Sequence, residues 1–290
     1  MISHGDRNVR VTRAWLAVSF LVAWICPNAI AQGTQANNAG RIVRLAPARH
    51  LRKDVDLWPL IAHPDDAAER RINATLTHLN GSFADRVRDC LSGEFAWSKN
   101  SFEGGEWQRT AKVTMRGPRF LSMVASDGFY CGTAHPDDDL VVLVFNLETG
   151  EQVDWSALVP KSAGASLPKN VLGDEDGTPP LILPELQATY AAAEDPDSDC
   201  TGYFQDERPF VLWPDAESGT LVAEVAGLPH VALPCKNELN LTMEQARKLV
   251  FDESLLQAIE EAHRITSAGV KAKPVRKPPA PTAATPPAPH

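Results

Sequence analysis

Arg119–Val159 reads RFLSMVASDGFYCGTAHPDDDLVVLVFNLETGEQVDWSALV. Within it, Leu140–Leu147 (LVVLVFNL) is a nearly unbroken apolar run. Its length and β-branched content predict a strand buried on both faces rather than a helix. Glu148-Thr149-Gly150-Glu151 follows and supplies a glycine where the chain must turn. Phe120–Ala125 is a second strand, which Asp127-Gly128 is expected to interrupt as a turn or bulge. The connection CGTAHPDDD is polar and rich in turn formers, so it is expected on a loop at a sheet edge.

Before this stretch, Trp107–Arg116 alternates. Trp107, Ala111, Val113 and Met115 fall on one side, and Thr110, Lys112, Thr114 and Arg116 on the other. With Gly117-Pro118 as the turn, strands from about 107, 119 and 140 predict an antiparallel meander. Further upstream, Ile72, Leu76, Leu79, Phe83, Val87 and Cys90 recur at helical spacing. Asp66-x-x-Glu69 resembles a capping box for that helix, and Asn80-Gly81 is expected to kink it. Arg41–Ala46 reads as a short first strand.

Downstream, Lys161–Pro180 reads as an exposed loop and Pro184–Glu194 as a helix with proline in its first turn. Phe210–Trp213 and Leu221–Val225 read as strands. Thr242-x-x-Gln245 starts a short helix, and Leu255, Leu256, Ile259 and Ala262 mark the last one. Strands and helices without regular βα alternation define an α+β fold. The expectation is an antiparallel β-meander packed against helices and stapled by disulfides.

The chain has 290 residues and a net charge of −9. Arg10 and Arg13 precede the apolar segment Ala14–Ile25, and Ala29-Ile30-Ala31 offers small residues for cleavage. Residues 1–31 therefore read as a signal peptide cut after Ala31. The apolar run is short of the roughly 20 residues that span a bilayer, so no transmembrane anchor is expected. Residues 32–40 read as a disordered segment, 41–265 as the α+β domain, and 266–290 as a disordered Pro/Ala/Lys-rich tail. The expected location is the periplasm or the medium. Cleavage removes three arginines and one aspartate, so the mature chain is still more acidic. That balance argues against nucleic acid as a partner and suits a basic protein or a cation. It also simply keeps an exported protein in solution.

Cys90, Cys131, Cys200 and Cys235 remain after cleavage. An even count in an exported chain predicts two disulfides. Three connectivities exist. Cys90–Cys131 and Cys200–Cys235 are expected, because each pair flanks one structural block. A four-thiolate zinc site needs close CxxC pairs, which the sequence lacks.

AHPDD occurs twice, at Ala62–Asp66 and Ala134–Asp138. The pentapeptide resembles the zinc signature of LmbE/PIG-L type deacetylases. That resemblance implies His63 with Asp66, or His135 with Asp138, as metal ligands, and Asp65 or Asp137 as general base. The chain departs from that family: no HxxH pair supplies a third ligand, and neither copy follows the first strand of a parallel sheet. Pro and Asp also serve as turn and cap residues in both places. Asp195-x-Asp197-x-Asp199 opens like a calcium loop, but Cys200 stands where an EF-hand needs glycine. No GxSxG elbow, phosphate loop, dinucleotide fingerprint or HExxH is present. Asn73-Ala-Thr75, Asn80-Gly-Ser82 and Asn240-Leu-Thr242 match glycosylation sequons by pattern only.

Tyr130, Gly132, Ala134, His135 and Pro136, then Asn146, Leu147, Thr149, Gly150 and Trp155–Val159, carry a second resemblance. A strand ending in Tyr, a Gly/Ala-His loop, an apolar strand and Asn-Leu-x-Thr-Gly are similar to the RsiV-like family of extracytoplasmic domains, which also forms the C-terminal part of PdaC-type deacetylases. Trp58-Pro59-Leu60-Ile61 and Ile72-Asn73 resemble the start of the same module. The resemblance implies an exported binding module, with a cell-envelope glycan or a basic protein such as a lysozyme as ligand. On this reading Tyr130, His135, Asp137, Asp138 and Asp139 form the binding loop, no residue is catalytic, and no cofactor is expected. A metal-dependent hydrolase using the AHPDD clusters is the alternative. A structural role for His135, bonding a backbone carbonyl, stands beside the binding role.

Overall fold

The computed structural model describes residues 41–97, 104–168, 177–193, 200–204, 207–228 and 230–272. The expected signal peptide, the segment 32–40, the Asp195–Asp199 motif and the chain beyond 272 lie outside the described residues. The fold is α+β. β1 (His50–Arg52), β2 (Val55–Asp56), β3 (Glu106–Arg116), β4 (Phe120–Tyr130) and β5 (Asp137–Asn146) lie in that order in one sheet. β2 joins β3 in parallel, and the other pairings are antiparallel. β6 (Phe210–Asp215), β7 (Thr220–Val225) and β8 (Leu239–Leu241) form a second, antiparallel sheet. The α-helices are α1 (Ala67–Leu91), α2 (Pro184–Ala193), α3 (Met243–Lys248) and α4 (Glu253–Ala272).

β5 is the middle layer. Val141, Leu143 and Phe145 join Leu121, Met123 and Ala125 of β4 against Ile72, Leu76 and Leu79 of α1. Val142 and Val144 point the other way, into a core shared with Leu212 and Val222 of the second sheet and with Leu255 and Ile259 of α4. Burial on both faces is what the unbroken apolar run encodes. The free edge of β5 is covered at Val142–Val144. Thr178 donates its N–H to the Val142 carbonyl at 2.7 Å, and its hydroxyl accepts the Val144 N–H at 2.8 Å. Thr178 is buried, so the Lys161–Pro180 segment is not wholly exposed. An edge strand facing a core needs such partners for its backbone.

Asp127-Gly128 does not end β4. The strand runs on to Tyr130, with Asp127 paired to β3 and β5. Asp127 is tolerated inside because Arg109 grips its carboxylate, with Nη2 to Oδ2 at 2.7 Å and Nε to Oδ1 at 2.9 Å. Trp107 Nε1 adds a third donor at 2.9 Å. The guanidinium lies 3.6 Å from the Phe83 ring centroid of α1 and 5.3 Å from that of Trp58. Met115 also departs from its expected side. A bulge between Val113 and Met115 turns it into the core under the second sheet, while Ala111 and Val113 stay on the α1 side.

α1 is one continuous helix across Asn80-Gly81. Asn73 bonds both backbone groups of Ile61, and Asn80 both those of Trp58. Two of the sequon asparagines are therefore structural clamps. Arg41–Ala46 forms only a bridge at Leu45–Ile61 rather than a strand. α4 continues to Ala272, past the expected start of the tail. Cys90 bonds to Cys131 and Cys200 to Cys235, closing separations of 41 and 35 residues. Loops of that size contribute roughly 4 kcal/mol each in the chain-entropy model.

Asp127→Ala leaves a buried guanidinium without its carboxylate and should cost about 3–5 kcal/mol in urea unfolding. The double change Arg109→Met with Asp127→Leu should recover most of that loss. A cost below about 1 kcal/mol for the single variant would show that the pair does not hold the sheet.

Candidate functional site

The two sheets pack tightly at one end of β5 and diverge at the other. Toward the β5 N-terminus the face turned to the second sheet changes from Val142 and Val144 to polar and exposed residues. Thr110 and Lys112 of β3, Ser126 of β4 and Asp138 of β5 lie there. Opposite stand Trp213 and Asp215 of β6, Glu224 of β7, and Lys236 and Glu238 from the connection to β8. The result is a cleft of about 330 Å³ between the sheets, within the range of small-ligand sites.

Charges in the cleft are interleaved. Lys236 Nζ sits 3.6 Å from Glu224 Oε1 and 3.9 Å from Asp138 Oδ2. Lys112 Nζ lies 3.5 Å from Asp215 Oδ2. Asp215 also accepts the N–H groups of Glu217 and Ser218, which fixes the β6–β7 turn. Among the described residues that line the cleft, Asp138, Asp215, Glu224 and Glu238 outnumber the two lysines, Lys112 and Lys236. Burial raises the Glu224 carboxyl above its ordinary value. The Lys236 ammonium opposes that shift, and the charges of Glu238 and Asp138 reinforce it. A buried carboxyl with a raised pKa in a cleft marks a candidate site.

Of the sequence-derived residues, Asp138 and Asp139 line this cleft. Asp139 also accepts the Leu140 N–H at 2.8 Å. Asp137 is exposed and accepts the Asp138 N–H at 3.0 Å. Tyr130 ends β4, 37% exposed. His135 is exposed on the loop, with Nδ1 2.9 Å from the Pro136 carbonyl oxygen. Close by, Cys131 is bonded to Cys90, and the backbone N–H of Trp97 donates to the Gly132 carbonyl. Trp97 is 80% exposed and Phe95 50%. Aromatic side chains therefore flank the loop that precedes the cleft.

The other AHPDD copy lies at the opposite end of α1. Asp66 is the N-cap, accepting the Glu69 N–H at 2.8 Å. It also pairs with Arg41 at 2.9 Å. Glu69 returns a bond to the Asp65 N–H. His63 is exposed, at φ 52°. This end of α1 meets the turn after β5, where Gly150 approaches so closely that a Cβ would lie 2.4 Å from the Ala68 carbonyl oxygen. Cys90 and the His135 loop are at the other end of the same helix, which spans 25 residues, or about 37 Å at 1.5 Å per residue. His63 and His135 are thus kept apart. Among the described residues no three His, Cys, Asp or Glu side chains gather as a metal site. Asp66 and Asp138 each have a cation or a cap to serve instead.

Lys112, Lys236, Glu224 and Glu238 were not legible as site residues. One signal existed for Glu224, an acid set in the otherwise apolar strand LVAEV. Lys236 gives only its place beside Cys235.

No protein-family model matches the chain, and no curated protein matches it. Among solved structures it is similar to a DUF3298 family protein from Pseudomonas aeruginosa, at 15% identity and a TM-score of 0.31, covering 53% of this chain and 68% of that one. A likeness of that size carries no argument about activity. Among the described residues no helix is long and apolar enough to cross a membrane.

The raised Glu224 carboxyl predicts a pH signature. Its charged form is disfavoured in the fold, so the cost is fully present above the folded pKa. That cost is relieved as pH falls through the folded pKa toward the ordinary value of 4.5. Glu224→Gln should therefore match or exceed the wild type in stability at pH 7 and lack this acid-side gain. Thermal melts from pH 7 to about 5 measure it. A Gln variant less stable at pH 7 than at pH 5 by the wild-type margin would refute the assignment.

Proposed function

We propose that the chain is an exported, non-catalytic binding module of the RsiV-like type, directed to the periplasm or medium by cleavage after Ala31. Its binding surface comprises the segment Tyr130–Asp139, from the end of β4 to the start of β5, and the cleft that begins at Asp138. The observation that carries this reading is the excess of carboxylates in an open cleft beside exposed aromatics. Such a surface suits a basic extracytoplasmic protein, a lysozyme among them, whose lysine or arginine side chains enter between the sheets. Tyr130, Trp97 and Phe95 would then supply the aromatic contacts that carry much of the energy at interfaces.

A cell-envelope glycan is the second reading, favoured by those same aromatics, on which sugar rings stack. The metal-dependent hydrolase is not supported, because its two His/Asp clusters sit at opposite ends of α1.

Calorimetry against a lysozyme and against soluble peptidoglycan fragments separates the ligands. Binding to the basic protein should weaken steeply with salt. Asp138→Ala and Glu238→Ala should each reduce it several-fold, and Trp97→Ala more. Binding of glycan fragments that ignores both acidic variants but is lost in Tyr130→Ala and Trp97→Ala would replace the first reading by the second. Absence of both interactions would reject the site.

A further inference from the structure

Nothing among the described residues requires a glycine at position 128. Gly128 lies inside β4, between β3 and β5, where Gln108, Gly128 and Asp138 stand opposite one another. A glycine within a strand ordinarily marks a bulge, a left-handed backbone, or the close approach of a ligand or another backbone. The ladder is unbroken here on both sides, and the β3–β4 register shifts only at Val113–Met115. Gly128 is not one of the glycines with positive φ. It is exposed, and a Cβ built on it meets nothing within 4 Å. The strand is weakened by this residue without a gain inside the fold. What remains is an approach from outside the chain.

Cross-strand partners share a face of the sheet, and residues two apart along a strand return to it. Gly128 therefore lies on the face that carries Thr110, Ser126 and Asp138, which line the cleft. It forms a bare floor at the mouth, with Gln108 and Asp138 on its two sides, both exposed. Strands lie about 4.8 Å apart, so the two flanking positions stand roughly 10 Å from each other. Both side chains carry oxygen acceptors. Lys236 Nζ approaches Asp138 only to 3.9 Å, and the Asp138 side chain is 46% exposed. One row further out on the same face, Glu106 stands opposite Tyr130. That row adds a second carboxylate and an aromatic ring.

We propose that this floor seats one arginine side chain of the basic partner, its guanidinium plane lying on the Gly128 backbone between Gln108 and Asp138. The inference rests on the basic-protein reading above and names the residue type that the cleft mouth selects. A guanidinium is flat and rich in donors, so it lies on bare peptide while bonding sideways to a carboxylate and an amide oxygen. An ammonium is a compact point charge that needs no bare floor. A side chain at position 128 would lift the plane off the sheet and out of line with both acceptors.

Calorimetry of the full chain with hexa-arginine and hexa-lysine peptides, equal in charge, tests it. The wild type should hold hexa-arginine about tenfold more tightly than hexa-lysine. Gly128→Val suits a strand and should melt no lower than the wild type. It should nevertheless bind both peptides alike, at the wild-type affinity for hexa-lysine. Gln108→Leu, at an exposed position, should narrow the preference, and it carries the test should the valine variant fold poorly. Equal affinity of the wild type for the two peptides overturns the proposal. So does a preference that survives both Gly128→Val and Gln108→Leu. Either result leaves the acidic cleft standing as long as Asp138→Ala and Glu238→Ala weaken both peptides. Failure of both peptides to bind removes the basic-partner reading and the arginine seat with it. Loss of peptidoglycan-fragment binding in Gly128→Val, with peptide binding unchanged, assigns the floor to a sugar ring and also overturns the proposal.

Discussion

The pairing of Arg109 with Asp127 decides how the layers of this protein meet. Both side chains are almost fully buried, at 1% and 2% exposure. An isolated charge there would cost several kcal/mol, so neither residue is tolerable without the other. Their placement ties β3 to β4 in one register. The Arg109 backbone N–H reaches the Asp54 carbonyl and brings β2 alongside in parallel. The guanidinium faces Phe83 and Trp58, and Trp107 stacks on Phe129 at 4.6 Å. One polar contact thus specifies the junction of α1, the added ribbon and the meander, where apolar packing alone would allow alternatives.

Away from that junction, apolar packing takes over. β5 is buried on both faces in its C-terminal half, with α1 on one side and the second sheet and α4 on the other. Its N-terminal half begins with three aspartates, which cannot be buried in such a core. The sheets must separate there. The cleft is therefore a consequence of where the apolar pattern of β5 stops: Asp138 is left in water there, while Asp215 and Glu224 on the facing sheet are buried.

Periodicity made most of this architecture legible. The β5 run, the α1 stripe and the α4 stripe each report burial directly, and each became an element. The cysteine pairing followed from which blocks the cysteines flank. Three of the departures share a cause: a local turn, kink or loop signal outweighed by a distant partner. Asp127-Gly128 looks like a turn until Arg109, far away in sequence, neutralises it. Asn80-Gly81 looks like a kink until the Asn80 amide closes on Trp58. Thr178 sits in a loop-like stretch yet completes the edge of β5. The site was half visible. Asp138 and Asp139 stood in a conspicuous acidic run, whereas Glu224 and Lys236 become neighbours of Asp138 only when the second sheet folds over the first.

The cap that Thr178 places on β5 bears on how the molecule behaves when crowded. A sheet with an open ladder can recruit a strand from another copy and so begin a fibre. Here the apolar side of the sheet is already sealed by a buried hydroxyl and amide. The opposite margin ends in a three-residue strand flanked by cations, which repels its own image. Self-templating is thus obstructed along the apolar half of β5, where Thr178 takes the backbone groups of Val142 and Val144, and at the other margin by like charge.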